Sequence, residues 1–156
     1  MIIDIVEEKI PRSIKKSVYQ LLAQMYDLDS PDDFDFPDYK DFYEFIDSDI
    51  DESGHILIYG QDGKAVGCLY LNNYEYVNET FYKNGCMQFS NLYVLPDYRC
   101  QGIASKLMQY AEELAKEDEI SIIISDYKET NKQSEGVHKK NGFKVLDKKI
   151  QVIKEI

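Results

Sequence analysis

No stretch of this chain approaches the roughly 20 consecutive apolar residues that cross a bilayer, so no segment of it reads as a transmembrane helix. Cysteine is scarce as well. Cys68, Cys86 and Cys100 are odd in number and none belongs to a CxxC pair. That argues against a disulfide framework and against a zinc site, and no metal is expected. The opening "MIIDIVEEKIPR" has neither a basic lead nor a small-residue cleavage site. No secretory signal is therefore expected, and the expected compartment is the reducing cytoplasm. Basic residues are in deficit, 18 Lys+Arg against 29 Asp+Glu, for a net charge of -11. A field of that sign repels nucleic acid and anionic membrane and attracts cations. The phosphate-binding patterns GxxxxGK[ST] and GxGxxG are both missing, which removes the P-loop and dinucleotide readings. There are no internal repeats and no linker.

What is present is an ordinary globular composition, 44% hydrophobic and 30% charged over 156 residues. One domain spanning residues 1–156, with room for a core, is expected. The acidic excess is confined to the first two-fifths of the chain. Residues 1–63 hold 16 acidic and 5 basic side chains, and residues 64–156 balance. The excess is densest in residues 27–52, "DLDSPDDFDFPDYKDFYEFIDSDIDE". Such a run either solvates a loop and a helix face or steers a cationic ligand.

Hydrophobic spacing sets out the elements. "MIIDIVEE" alternates as a first strand. Ile14, Val18, Leu21, Leu22 and Met25 recur at helical spacing after Pro11, and residues 39–50 form a second helix behind a loop broken by Pro31 and Pro37. "HILIYG" and "AVGCLYL" are strands joined at Asp62-Gly63, a pair suited to a type I′ hairpin. The polar, Tyr-rich residues 72–85 carry no clear pattern. "CMQFSNLYVL" is the next strand, followed by a helix marked by Ile103, Leu107, Tyr110, Ala111 and Leu114. "ISIIIS" reads as a strand buried on both faces. A polar helix runs from about Asn131 to a stop at Gly142, and "KVLDKKIQVIKEI" adds one or two strands. The order implies an α/β fold, a mixed sheet with helices on both faces.

One junction carries chemistry. In "LYVLPDYRCQGIASKL" a strand passes through a Pro-containing break and a glycine into a helix. A helix N-terminus presents unpaired N–H groups and the positive end of the macrodipole. A glycine there admits an anion to the backbone, and successive N–H groups can wrap a diphosphate. Gly102 and the small Ala104 give clearance, and Arg99 and Lys106 add positive charge. The alternative is a tight strand-to-helix connection that holds no ligand.

These residues resemble the acyl-CoA-binding motif of the GNAT superfamily of N-acyltransferases, R/Q-x-x-G-x-G/A after a strand ending V-x-P. The match is Arg99-Cys100-Gln101-Gly102-Ile103-Ala104 behind Val94-Leu95-Pro96. A second family pattern, N-x-x-A-x-x-x-Y-x-x-x-G-F, corresponds to Asn131, Ser134, His138, Gly142 and Phe143 at the same spacing. The resemblance is sharp over residues 88–145 and architectural before them. It implies about six to seven strands, mostly antiparallel, with a splayed central parallel pair. It also implies that the CoA diphosphate rests on the backbone N–H groups of Gln101, Gly102, Ile103, Ala104 and Ser105, with Arg99 and Cys100 completing the cofactor-binding turn. The pantetheine arm would pair with Leu92, Tyr93 and Val94, where a bulge parts that strand from "ISIIIS". Asn131, Ser134 and His138 would line the other side. The Val94 N–H would hold the oxyanion when an amine attacks the acetyl thioester directly.

Two departures from the family pattern bear on mechanism. The tyrosine that often protonates the leaving thiolate is replaced by His138, either a general acid titrating near an imidazole's usual pKa of about 6.5 or a plain helix-face residue. The strand "MQFSNLYV" holds no glutamate, so no base is assigned. Gln88 and Asn91 can only position water, Glu75 and Glu79 are alternatives as carboxylates, and proton loss through ordered water to bulk is another. His55 reads as a surface or turn residue, and Cys100 as incidental to the turn. The implied acceptor is a cationic amine, namely a polyamine, an aminoglycoside, or a lysine or N-terminal amine of a peptide. Aromatics at 34, 36, 39, 42 and 43 are available to hold an ammonium or to fill core. The alternative function is a non-catalytic acyl-CoA binder or sensor. A third is a structural domain without ligand. A homodimer is left open, and neither nucleic acid nor membrane is an expected partner.

Overall fold

The first strand owes its place to alternation: Ile3 and Ile5 bury to one side while Asp4 turns to the other. The computed structural model describes residues 1–7, 9–25, 54–77 and 80–146. Two units are distinguished by their internal contacts, residues 1–126 and 127–156.

In the first unit the elements run β1 (Ile2–Asp4), α1 (Lys15–Met25), β2 (His55–Gln61), β3 (Lys64–Val77), β4 (Thr80–Val94), α2 (Ile103–Glu117) and β5 (Ile123–Ser125). The sheet order is β1-β2-β3-β4-β5, antiparallel throughout except for the parallel β4–β5 pair. Asp62 (φ 51°) and Gly63 (φ 74°) close the β2–β3 hairpin, both left-handed as a type I′ turn demands. The Tyr-rich residues without a clear pattern are the far ends of β3 and β4, a hairpin far longer than the usual five or six residues per strand.

The alternation of β2 and β3 sorts the helices. Ile56, Ile58, Cys68 and Tyr70 join Val18, Leu21 and Leu22 of α1 in one buried cluster. Each such aliphatic side chain contributes about 1.5–3 kcal/mol when fully buried. Ser17 ties that helix to the sheet, accepting from the Ala65 amide at 2.9 Å and donating to the Ile14 carbonyl at 2.7 Å. Leu57, Leu69 and Leu71 are buried on the opposite face. That is the face of α2, which packs over β2, β3 and β4.

Three expectations are corrected. The buried stripe of α2 is Ile103, Leu107, Met108, Ala111 and Ala115, whereas Tyr110 is exposed and Leu114 half-buried. β5 is not buried on both faces. Its three residues are half-buried and Ile122 is exposed, because α2 lies over the middle strands and not over this one. His55 is no surface residue: it opens β2 with its side chain only 15% exposed. The described residues hold five strands. The second helix at 39–50, the loop before it and most of the closing strand segment lie outside them, and residues 143–146 form no strand.

The second unit contains α3 (Lys132–Lys140). Asn131 caps its start by accepting from the Ser134 amide at 3.0 Å, and Gly142 (φ 83°) follows its last turn. No helix among the described residues is long and apolar enough to cross a membrane.

Candidate functional site

The junction after β4 is built by a phase change in the backbone. Near its middle β4 pairs in register with both neighbours: Leu71 faces Phe89, and Met87, Gln88 and Phe89 face Ile123, Ile124 and Ser125. The next pair along β3 is Tyr70 with Asn91, so Ser90 is an inserted residue, a β-bulge. Before the bulge, the odd-numbered Met87 gives its N–H to β5, bonding the Ile122 carbonyl at 3.0 Å. After it, the odd-numbered Leu95 gives its N–H to β3, bonding the Val66 carbonyl at 2.9 Å. Backbone groups alternate direction along a strand. The amides of Leu92 and Val94 therefore point away from β3, toward the side where pairing with β5 has ended. The Val94 carbonyl points the same way and accepts from Arg99 Nε at 2.9 Å.

Past Val94 the chain makes a short 3-10 turn at Pro96–Tyr98 and then uses two left-handed residues, Cys100 (φ 62°) and Gly102 (φ 80°). The first helical bond of α2 runs from the Lys106 amide to the Gly102 carbonyl at 3.0 Å, so the Ile103 and Ala104 amides precede it. Gly102 occupies the N-cap position and no side chain caps the helix there. A Cβ built on Gly102 meets nothing within 4 Å. That open side, beside outward-facing amides and a dipole end, is suited to an anion. Gln101 braces the turn through Nε2 to the Asp97 carbonyl at 3.2 Å, and Ser105 lies in the first turn of the helix.

The two cations expected to line the turn are also structural. Arg99 lies 5.8 Å from the Tyr93 ring centroid besides holding the Val94 carbonyl. Lys106 donates to the Tyr59 hydroxyl at 3.0 Å. Leu92, Tyr93, Val94, Arg99, Cys100, Gln101, Gly102, Ala104 and Ser105 thus follow one another along the strand end and the turn, whereas the Ile103 side chain is buried and offers only its backbone amide.

Asn131, Ser134 and His138 make a local cluster in the second unit. His138 is 4% exposed. Its Nδ1 lies 2.7 Å from the Ser134 carbonyl and 3.3 Å from Ser134 Oγ. Only a donor suits a carbonyl, so Nδ1 carries the proton. The rings of Tyr127 and Phe143 stand 5.0 and 5.1 Å away. Of the carboxylates considered as base, Glu75 is exposed on β3 and Glu79 lies outside the described residues.

Two polar arrangements escaped the sequence reading. Asp4 Oδ2 lies 2.6 Å from His55 Nδ1, and Asp4 Oδ1 accepts from the Val6 amide at 3.1 Å. The Asp4 contact holds the His55 pKa above the ordinary imidazole value despite burial. The available signal was a lone carboxylate between Ile3 and Ile5. The other is Asn72, buried and donating to Ser90 Oγ at 2.8 Å. Its signal was a polar residue continuing the inward phase of Cys68 and Tyr70. A cavity of about 500 Å³ is bordered by His55, Glu75, Lys83 and Asp118. No residue of the turn borders it, and its mixed charges define no ligand class. No cluster of three or more His, Cys, Asp or Glu suited to a metal occurs among the described residues.

A profile of the Acetyltransferase (GNAT) family matches residues 19–143. An aminoglycoside N(6')-acetyltransferase type 1 from Acinetobacter genomosp. 13 is 34% identical over 107 residues, covering 67% of this chain and 72% of its own. Among solved structures, apo aminoglycoside 6'-N-acetyltransferase AAC(6')-IG from Acinetobacter haemolyticus superposes with a TM-score of 0.70 at 23% identity, over 100% of this chain and 99% of that one. AAC(6')-Iy, solved with a bisubstrate analog, gives 0.72 at 20% identity over 100% and 98%.

Proposed function

The chain belongs to the acetyltransferase (GNAT) family and is an acyl-CoA-dependent N-acyltransferase, and from that premise we propose that it acetylates a polycationic amine of the aminoglycoside class. The observation that carries the reading is the bulge at Ser90. It turns the Leu92 and Val94 amides onto an edge without a strand partner among the described residues, and that edge runs directly into the uncapped N-terminus of α2. A pantetheine amide chain pairs with such an edge as an added strand would. A diphosphate suits the backbone amides around Gly102.

The chemistry follows from those positions. The neutral amine attacks the thioester carbonyl, a C–N bond forms and the C–S bond breaks. The Val94 N–H is the donor for the carbonyl oxygen as it gains charge. The thiolate leaves and takes a proton. The sequence pattern makes His138 the candidate donor. With Nδ1 committed to the Ser134 carbonyl, Nε2 is the atom that must carry any exchanged proton. If His138 is the acid, His138→Ala lowers kcat and removes one limb of the pH–rate profile. An unchanged profile excludes the role. The acceptor assignment is supported by the 34% identical relative and by the acidic excess of residues 27–52, which favours a polycation. Thiol release from acetyl-CoA, measured over an aminoglycoside, a polyamine and a lysine peptide, tests it. Turnover with the aminoglycoside is expected. Tight CoA binding with no thiol release above background would establish a non-catalytic acyl-CoA binder instead.

A further inference from the structure

Asn72 is 7% exposed, in the middle of the β3 face that carries Cys68 and Tyr70. Its Nδ2 donates to Ser90 Oγ at 2.8 Å, and its Oδ1 is enclosed with no hydrogen-bond partner among the described residues. Burying an amide oxygen in that condition costs free energy that an apolar side chain of similar size would avoid. Departures of this kind concentrate at functional sites.

Its position is informative. Asn72 faces Gln88 across the ladder, one pair beyond Leu71 and Phe89. Ser90, its partner, is the bulge residue itself, and pairing between β4 and β5 ends at the adjacent Phe89. The Asn72–Ser90 link therefore stands where β4 parts from β5, within two residues of the open Leu92 amide. By alternation it faces the α1 side of the sheet, as do Gln88 and Asn91. That face is otherwise apolar at Ile56, Ile58 and Cys68.

We propose that Asn72 Oδ1, which has no exposed surface here, is uncovered as the acceptor seats beside the bulge and accepts an N–H of the amine while its nitrogen is presented to the thioester, with Ser90 as the positioning residue that holds the carboxamide in place. The inference rests on the N-acetyltransferase reading and adds a residue to the acceptor side of it. A primary amine attacks through its lone pair and keeps its hydrogens directed elsewhere, so an acceptor atom that bears no proton suits it. Asn72 exchanges no proton itself. The amine's surplus proton leaves to solvent, and the thiolate takes one separately.

The test is steady-state kinetics of the whole chain with acetyl-CoA against kanamycin and spermine, for Asn72→Leu, Asn72→Ala and Ser90→Ala, with thermal midpoints recorded alongside. Asn72→Leu should lower kcat/KM for the amine by about tenfold or more while leaving the acetyl-CoA KM within about twofold. Its thermal midpoint should be unchanged or higher, because the unsatisfied oxygen is gone. Asn72→Ala repeats the kinetic arm should leucine fit poorly. Ser90→Ala should give a smaller loss in the same parameter, less than additive with Asn72→Leu. Amine kinetics equal to the parent in both Asn72 variants would overturn the inference while leaving the acetyltransferase reading intact. An acetyl-CoA KM that moves as far as the amine parameter would also overturn it, by showing only a disturbed bulge. A parent protein that neither binds nor acetylates any amine offered overturns both.

Discussion

At Gly102 the backbone enters α2 at φ 80° with open space where a side chain would stand. Conformation, not packing, excludes other residues here, since the left-handed region costs an L-residue about 1–2 kcal/mol. Gly102→Ala should therefore lower stability by about that amount and, in addition, weaken CoA binding by placing a methyl on the anion's side of the turn. Thermal shift with and without CoA separates the two effects. A Gly102→Ala protein that binds CoA as tightly as the parent would remove the diphosphate from this turn. Asp4 and His55 make a second residue-scale statement. The folded His55 pKa is raised, chiefly by its hydrogen bond to Asp4. The contribution to stability is thus fully present below the ordinary imidazole pKa and is lost as pH rises through the folded value. The thermal midpoint should fall over that window, and Asp4→Asn should flatten the fall and destabilise by about 1–3 kcal/mol at low pH. Among the cysteines, burial pushes the Cys68 thiol up to about 12, so it is inert at neutral pH, and Cys100 is the exposed one.

The element that decides the site is β4, through one inserted residue. Ser90 reverses which backbone groups face β5, and no side chain in the apolar pattern announces it. The position of α2 depends on a different small residue. A Cβ on Gly67 would lie 2.9 Å from Ile103 Cγ2 and 3.4 Å from the Tyr93 carbonyl oxygen. Gly67→Ala must push the first turn of α2 off β3, at a cost of about 1–3 kcal/mol for an overpacked contact. Because Ile103 opens that helix, CoA stabilisation should shrink with it, a joint loss that calorimetry with and without CoA would detect. In the second unit, α3 holds its first turn through Asn131, and Glu135 bridges Lys132 and Lys139. Hydrogen bonds from Lys139 and then Lys132 hold the Glu135 carboxyl down to about 2. This solvent-facing arrangement is a helix-surface device with little consequence for stability.

For the whole molecule, net charge is the property with functional reach. The acidic residues 27–52 lie outside the described residues, and their charge acts at a distance whatever their conformation. If they steer a polycationic acceptor, its KM should rise severalfold as ionic strength passes about 0.1 M, where the screening length is near 10 Å. A flat response would assign the acidic run to solvation. We propose that residues 1–156 unfold as one domain, in a single cooperative transition.

Local chemistry in the sequence determined α1, the β2–β3 hairpin with its Asp62-Gly63 turn, the glycine at the head of α2 and the helix that starts after Asn131 and stops at Gly142. Each depends on backbone conformations or on partners a few residues away. The family motifs over residues 88–145 were legible for the same reason. Only the tertiary structure decided which amides stay open, because a bulge is a relation between paired strands and leaves no mark on one strand's periodicity. It likewise decided that β5 stands half-exposed, that Arg99 turns back onto the Val94 carbonyl, and that His55 finds Asp4 from 51 residues away. Asn72 belongs with these. Its type and phase could be read from "CLYLNN", but an oxygen buried without a partner among the described residues, beside a carboxamide nitrogen bonded to the bulge residue Ser90, is a tertiary fact.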